Sequence, residues 1–314
     1  MSRLEELLQG AKSVALSGHI RPDGDCVGSV MALYRYIKKN MPIIEVKVFL
    51  ETPSSVFHCI QGIEDIDSKM ETKQEFDVFI ALDCTADRLG DAEPIFKRAK
   101  QKINIDHHVS NSGCGDVNIV VSDASSTSEV LYELMDAEKL DEEIAKSLYI
   151  GMIHDTGVFK YSNTSPKTLR IAAQLIGFGF DFTRIIDETF YEKTYLQTLV
   201  CAKAVSESVR FMDEKCIFSV VDKEMMEFYG VGPKDLDSVI NQLRTVKGIE
   251  CAIFMYQTGS MEYKVSMRSN QYVNVSAIAT YFGGGGHVRA AGCTMKGTVH
   301  DVINNLSAQI ALQI

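Results

Sequence analysis

No stretch of this 314-residue chain approaches the run of about 18 apolar residues that a membrane helix needs, so a helical span is not expected. The first residues, MSRLEELLQG, lack the basic start and apolar core of a secretory signal. The eight cysteines, at 26, 59, 84, 114, 201, 216, 251 and 293, form no C-x-x-C pair. That scatter argues against a disulfide framework or a zinc knuckle and for reduced thiols in a cytoplasm. Positive charge is also short: 32 Lys+Arg against 42 Asp+Glu give a formal net charge of -10. Such a balance argues against a protein that coats long nucleic acids. No internal repeat is visible. What remains is an ordinary globular composition, 46% hydrophobic and 24% charged, long enough for about two domains.

The charge is uneven. Residues 1–205 carry 22 basic and 31 acidic side chains, whereas 206–314 carry 10 and 11. Within the second part, residues 240–300 carry Arg244, Lys247, Lys264, Arg268, Arg289 and Lys296 against only Glu250 and Glu262, a mildly basic stretch. The first part alternates strand-like and helix-like segments. Residues 12–17 (KSVALS), 43–50 (IIEVKVFL), 77–82 (DVFIAL), 102–105 and, more weakly, 117–121 read as strands. Residues 26–39 (CVGSVMALYRYIKK) show helical spacing and end at Asn40, a C-cap. This rhythm predicts an α/β domain with a parallel sheet. From 125 to about 203 the pattern is mostly helical, with Ser126-x-x-Glu129 as a capping box. The expected organisation is a catalytic domain over 1–188, a helical linker over 189–209, and a smaller α/β domain over 210–314. Strands are predicted there at 216–221, 251–257 and 262–267, and helices at 235–245, 275–281 and 299–312.

Polar residues recur where the strands end. Gly18-His19-Ile20-Arg21-Pro22-Asp23-Gly24-Asp25 follows the first strand, at the sheet edge where open α/β proteins place ligands. One histidine and two carboxylates suit Mn²⁺, Fe²⁺ or Zn²⁺, although Pro-Asp-Gly-Asp is also good turn and N-cap chemistry. Asp83 ends the 77–82 strand, and Asp106-His107-His108 ends the next. On a loop, one of two adjacent histidines can bind a metal while the other reaches a substrate. Asp155 closes an apolar helical stretch, where the helix dipole disfavours a carboxylate and calls for a cation. His154 reads as packing beside it. Near the C-terminus, Gly283-Gly284-Gly285-Gly286-His287 offers backbone N–H groups for a phosphate, or a flexible loop. Arg268-Ser269-Asn270 could hold a phosphate too, or simply end a strand.

Taken together and in this order, these residues resemble the DHH/DHHA1 phosphoesterase family. The D-x-D-x-x-G-S element corresponds to Asp23, Asp25, Gly28 and Ser29. The lone strand-end aspartate corresponds to Asp83, the name-giving triplet to Asp106-His107-His108, the fourth aspartate to Asp155, and the glycine-rich element to Gly284–His287. The compact size resembles the family's nano-RNA phosphoesterases, which also act on 3'-phosphoadenosine 5'-phosphate (pAp), more than the larger RecJ-type exonucleases. The resemblance implies two Mn²⁺, with other divalent metals tolerated. One would lie on His19, Asp23 and Asp83; the other on Asp25, Asp83, His107 and Asp155, with Asp83 shared. It implies that Asp106 orients a histidine and that His108 contacts the scissile phosphate. Arg268, Ser269, Asn270, Gly285, Gly286 and His287 would grip nucleotide phosphates. Cys26 stands where the family commonly has alanine and, beside two ligands, is expected to make the site oxidation-sensitive.

The implied activity is hydrolysis of short oligoribonucleotides to mononucleotides, and of pAp to AMP and phosphate. Partners are short RNA or DNA and pAp, with no membrane; a homodimer is compatible. Two alternatives stay open: a phosphodiesterase of linear dinucleotides such as pApA or pGpG, and a catalytically silent nucleotide-binding regulator. The second has little reason to keep six candidate metal ligands.

Overall fold

The computed structural model describes residues 2–314, apart from the side chain of His287. It divides after Glu192 into two units, each with its own sheet.

The first unit carries strands β1 (Ser13–Ser17), β2 (Glu45–Phe49), β3 (Ile66–Asp67), β4 (Val78–Leu82), β5 (Gln101–Asp106) and β6 (Val117–Val120). All pair in parallel, in the order β3-β2-β1-β4-β5-β6. Its helices are α1 (Arg3–Leu7), α2 (Gly24–Asn40), α3 (Glu93–Arg98), α4 (Thr127–Leu134), α5 (Glu142–Asp155), α6 (Pro166–Ile176) and α7 (Phe182–Ile186). Alternation along a strand sends successive side chains to opposite faces. Val14, Leu16, Val78, Ile80 and Leu82 therefore join one core with α2, α4 and α5, while Ala15, Phe79 and Ala81 join another with α3. A strand buried on both faces must be apolar throughout, as VFIAL is. The order of strands reverses between β1 and β4, and there the carboxyl ends open a crevice. Asp23 caps α2 by accepting hydrogen bonds from the amides of Asp25 and Cys26, so the helix starts two residues before its apolar spacing does.

The segment expected as a continuous helical linker, 189–209, is divided. A π-helical turn ends at Tyr191, residue 192 is extended, and α8 (Tyr195–Ser206) begins afresh with a capping box of Thr194 and Gln197. Val200 and Ala204 of α8 pack into a core of the second unit.

The second unit carries β7 (Val209–Phe211), β8 (Cys216–Val221), β9 (Cys251–Gly259), β10 (Glu262–Ser269), β11 (Gly285–His287) and β12 (Ala290–Lys296) in the order β11-β12-β10-β9-β8-β7. Only β8 and β9 pair in parallel. Helices α9 (Lys223–Tyr229) and α10 (Asp237–Arg244) lie with α8 on one face, and α11 (Val275–Tyr281) and α12 (Val299–Ile310) on the other. The glycine run is ordered rather than a free loop. The amides of Gly283 and Gly284 donate to the carbonyls of Thr280 and Ala279, closing α11. A side chain at 284 would meet the Gly292 carbonyl at 2.2 Å, so glycine permits the β11–β12 hairpin. Among the described residues no helix is long and apolar enough to cross a membrane.

Candidate metal centre

The crevice collects side chains from the ends of β1, β4 and β5 and from α2 and α5. After β1 the chain turns through His19, whose ring is buried. Its Nδ1 lies 2.9 Å from the Ile20 carbonyl. A carbonyl can only accept, so Nδ1 carries the proton and Nε2 faces the carboxylates. Nε2 stands 3.6 Å from Asp23 and 3.5 Å from Asp83.

Asp83 follows β4 in the left-handed region, at φ 58°, which aspartate tolerates better than most residues. Its two oxygens divide. Oδ2 faces His19, whereas Oδ1 lies 3.6 Å from His107 Nε2 and 3.5 Å from His108 Nδ1. Thr127 donates its hydroxyl to Oδ1 at 3.0 Å. His107 Nε2 is also 2.9 Å from Asp155, at the last turn of α5. Asp25, His107 and Asp155 offer ligand atoms within 4.8 Å of one another, as do His19, Cys26 and Asp83.

Asp25 is fully buried, and the first turn of α4 holds it. Thr127 N donates at 2.6 Å, Ser128 N at 3.0 Å and the Ser128 hydroxyl at 2.6 Å. A helix N-terminus favours such an anion. Gly151 makes room for this arrangement: a Cβ there would stand 1.9 Å from Ser128 Oγ and 2.6 Å from Asp25 Oδ1. Asp106 accepts from the amides of His107 (2.6 Å) and His108 (3.1 Å), from His108 Nδ1 (2.7 Å) and from Asn111. Asn104 in turn accepts from Asn111 and donates to the carbonyls of Ala81 and Cys84, tying β5 to β4.

The electrostatics describe a site short of cations. Burial first, then the charges of Asp83 and Asp155, push the Asp25 carboxyl well above its ordinary range; burial likewise raises Asp83. The imidazoles respond in the opposite sense. Burial opposes their charge, but hydrogen bonds and neighbouring carboxylates outweigh it and raise His19 and His107 to about 10. The hydrogen bond to Asp106 raises His108 as well. Buried carboxylates this close need a positive partner. A mixed set of imidazole nitrogens and carboxylate oxygens is a donor set for divalent Mn, Fe, Zn or Mg, and the residues present therefore fit such ions. Cys26 is fully buried, and that burial raises its thiol strongly, which disfavours the reactive thiolate.

His19, Asp23, Asp25, Asp83, Asp106, His107, His108 and Asp155 thus meet in one crevice. His154 does not face it: its ring lies between Phe57 and Phe190, with Nε2 3.2 Å from the Thr189 hydroxyl. The residues that sequence reasoning missed are Thr127, Ser128, Asn104 and Asn111. The hydroxyl run 125–128 before a helix is the local signal for Thr127 and Ser128, and helix capping alone already accounts for it.

In the second unit, Arg268 is the next-to-last residue of β10 and donates to the Met267 carbonyl at 3.0 Å. The Ser269 side chain is buried, near Arg289 Nη1 (3.4 Å) and the Val288 carbonyl. Asn270 donates its amide to the carbonyls of Arg244 (2.9 Å) and Ile249 (2.8 Å). Gly285 and Gly286 pair with Gly292 and Ala291. The His287 side chain lies outside the described residues.

Comparison with known proteins follows the same division. Residues 13–152 match the model of the DHH family N-terminal domain, and 213–313 match that of the DHHA1 domain. The chain is similar to the bifunctional oligoribonuclease and PAP phosphatase NrnA of Thermus thermophilus, with 29% identity over 95% of this chain and 89% of that protein. The protein of the same name in Bacillus subtilis is 26% identical over 90% of this chain and 89% of its own length. A crystal structure of an exopolyphosphatase-related protein from Bacteroides fragilis superposes with a TM-score of 0.90 at 22% identity, covering 98% of this chain and 94% of that one. RecJ of Thermus thermophilus, solved with Mn²⁺, shares the fold over 99% of this chain and 53% of its own, with a TM-score of 0.55 at 14% identity.

Proposed function

The chain belongs to the DHH family, with a DHH N-terminal domain followed by a DHHA1 domain, and from that premise we propose a two-metal phosphoesterase that degrades short oligoribonucleotides to mononucleotides and converts pAp to AMP and phosphate. The names of the relatives from Thermus and Bacillus support both substrates. The observation that carries the reading is the division of Asp83, one oxygen toward His19 and the other toward His107.

His19, Asp23 and Asp83 would hold one ion; Asp25, Asp83, His107 and Asp155 would hold the other. Mn²⁺ is our expectation among the ions this set accepts. Such a pair supplies Lewis acidity and a nucleophilic water of lowered pKa. The protein's own groups do the rest. Asp106 fixes the proton of His108 on Nδ1 and favours the imidazolium, so that Nε2–H can donate to a phosphoryl oxygen as negative charge develops. Thr127 and Ser128 keep the buried carboxylates aimed. In the second unit, Arg268, Gly285, Gly286 and His287 would meet substrate phosphates, while Ser269 and Asn270 shape the backbone around them. Eight free thiols suit a cytoplasmic enzyme.

The test is hydrolysis with Mn²⁺ of pAp, 5'-phosphorylated dinucleotides, longer RNA and pyrophosphate, with products identified. Turnover of pAp and of oligonucleotides of a few residues is expected. Cleavage confined to pApA or pGpG would replace this reading by the linear-dinucleotide one, and silence on every substrate would favour a regulator. Asp83→Ala should abolish hydrolysis and lower metal content for both sites together. Retained Mn²⁺-dependent turnover would sink the shared-ligand assignment.

A further inference from the structure

The second unit contains a cavity of about 430 Å³ where β8 and β9 begin and β10 ends. Three cationic residues from separate segments line it: Lys215 before β8, Arg244 at the end of α10, and Lys247 in the loop that follows. Lys215 and Lys247 are exposed, and neither makes an ion pair among the described residues. Tyr272 adds a ring that is 47% exposed.

One carboxylate, that of Glu250, belongs to the lining. Glu250 is buried and turned into the backbone, where it accepts from the amides of Gln271 (2.9 Å), Tyr272 (2.8 Å) and Val273 (2.8 Å). Its oxygens are thereby engaged by the frame, and its one negative charge is outnumbered by the three cations. That frame is well fixed. The Asn270 amide clamps the 244–249 loop at both ends, and the amides of Glu250 and Cys251 bond to the Lys215 carbonyl at 2.7 and 3.1 Å. The three cations are thus held around one opening rather than scattered over a surface.

We propose that this cavity is a phosphate-backbone subsite for single-stranded oligonucleotides, with Lys215, Arg244 and Lys247 against phosphates and Tyr272 against a base. Cationic grooves with an exposed ring are the common solution for single strands, and the volume lies within the range of small-ligand sites. Asn270, in the lining, lies two residues from Arg268 in sequence. The inference deepens the proposed function and rests on it for the ligand's identity.

The test is binding of a 3'-labelled pentaribonucleotide by fluorescence anisotropy, in EDTA so that nothing is cleaved, over a range of salt concentration. For the double variant Lys215→Ala/Lys247→Ala we expect about tenfold weaker binding. The salt slope should be shallower by about 1.4, two single-strand phosphate contacts at about 0.7 each. Tyr272→Ala should weaken binding at every salt concentration, and Tyr272→Phe should restore it. The control is Lys264→Ala/Lys296→Ala, which removes the same charge elsewhere in the unit. An unchanged slope in the first variant, an equal loss in the control, or no binding by the unaltered protein overturns the inference. Hydrolysis with Mn²⁺ is read separately. Binding lost as expected in a protein that cleaves neither pAp nor RNA would leave the subsite standing and remove the proposed function.

Discussion

Four hydrogen bonds converge on Asp106, two of them from the backbone of its own neighbours and one from Asn111, and the fourth aligns His108. The carboxyl is buried, yet those donors hold it below the usual carboxylate range. Asp106→Asn should therefore lower kcat by about 10²-fold, the lower end for a positioned general acid–base pair, with metal content unchanged. Quantitation of bound metal alongside kinetics checks this, and a change in KM alone would count against it. Gly151→Ala is expected to be worse for the fold than for the chemistry. The new methyl cannot coexist with Ser128 and Asp25 where they stand, so thermal stability and metal affinity should fall together in calorimetry and metal titration. At this scale the sequence was informative about charged groups and poor about their partners. His19, Asp83 and the 106–108 triplet announced themselves by sitting at strand ends. Asn104 and Thr127 are ordinary residues whose importance comes from segments 20 to 102 positions away, and local pattern carries no record of such distances.

Among the elements, the helices and central strands were legible because their apolar spacing is strong. The prediction for 216–221 matches β8, and that for 275–281 matches α11. The parallel first sheet also followed from the β-α-β rhythm. Short edge elements were not legible. β3 has two residues and β7 three, too few for a period to show, and in β11 two of the three residues are glycines with no side chain to alternate. The capping box at 126–129 is half present: Ser126 accepts from the Glu129 amide, but the Glu129 carboxylate turns to Ser125, Thr168 and Lys167 instead. What α4 caps is the site itself. Thr127→Val keeps its amide on Asp25 and loses the hydroxyl on Asp83, so metal affinity should drop about tenfold, as for other groups that orient ligands, and competition with a chelator measures it. Another element-level tie is Asp77, which accepts from the amides of Lys12 and Ser13 and from Lys100, holding β1 beside β4. The Lys100 hydrogen bond and those amides lower its carboxyl to about 2. A lowered folded-state value means stability that is present above the unfolded carboxylate range and lost as pH falls toward 2. Asp77→Asn should lower the melting temperature of the first unit by about 2–4 °C at neutral pH. The difference from the unaltered protein should vanish in acid, and thermal melts across pH read it directly.

For the whole molecule, the net charge of -10 is a sum over two unlike units. Most of the excess acidity belongs to residues 1–205, and part of it lines the metal crevice. The second unit is nearly neutral in sequence yet offers an opening of three cations, because Glu250 is turned inward. Long duplex DNA should therefore not be retained near physiological salt in a gel-shift assay, whereas the pentaribonucleotide is bound. Tight retention of duplex would contradict this charge distribution.

The π-helical turn at 187–191 bears on any attempt to take the enzyme apart. The Thr189 hydroxyl donates to the Ile185 carbonyl and accepts from His154, and Phe190 covers the same ring, one residue from Asp155. Cutting after residue 188, where sequence alone places the end of the catalytic domain, would remove both supports from the last turn of α5. A fragment ending at Glu192 keeps them. The four residues between these two cuts lie outside the crevice, and they decide whether an isolated first unit arrives with its metal ligands in position.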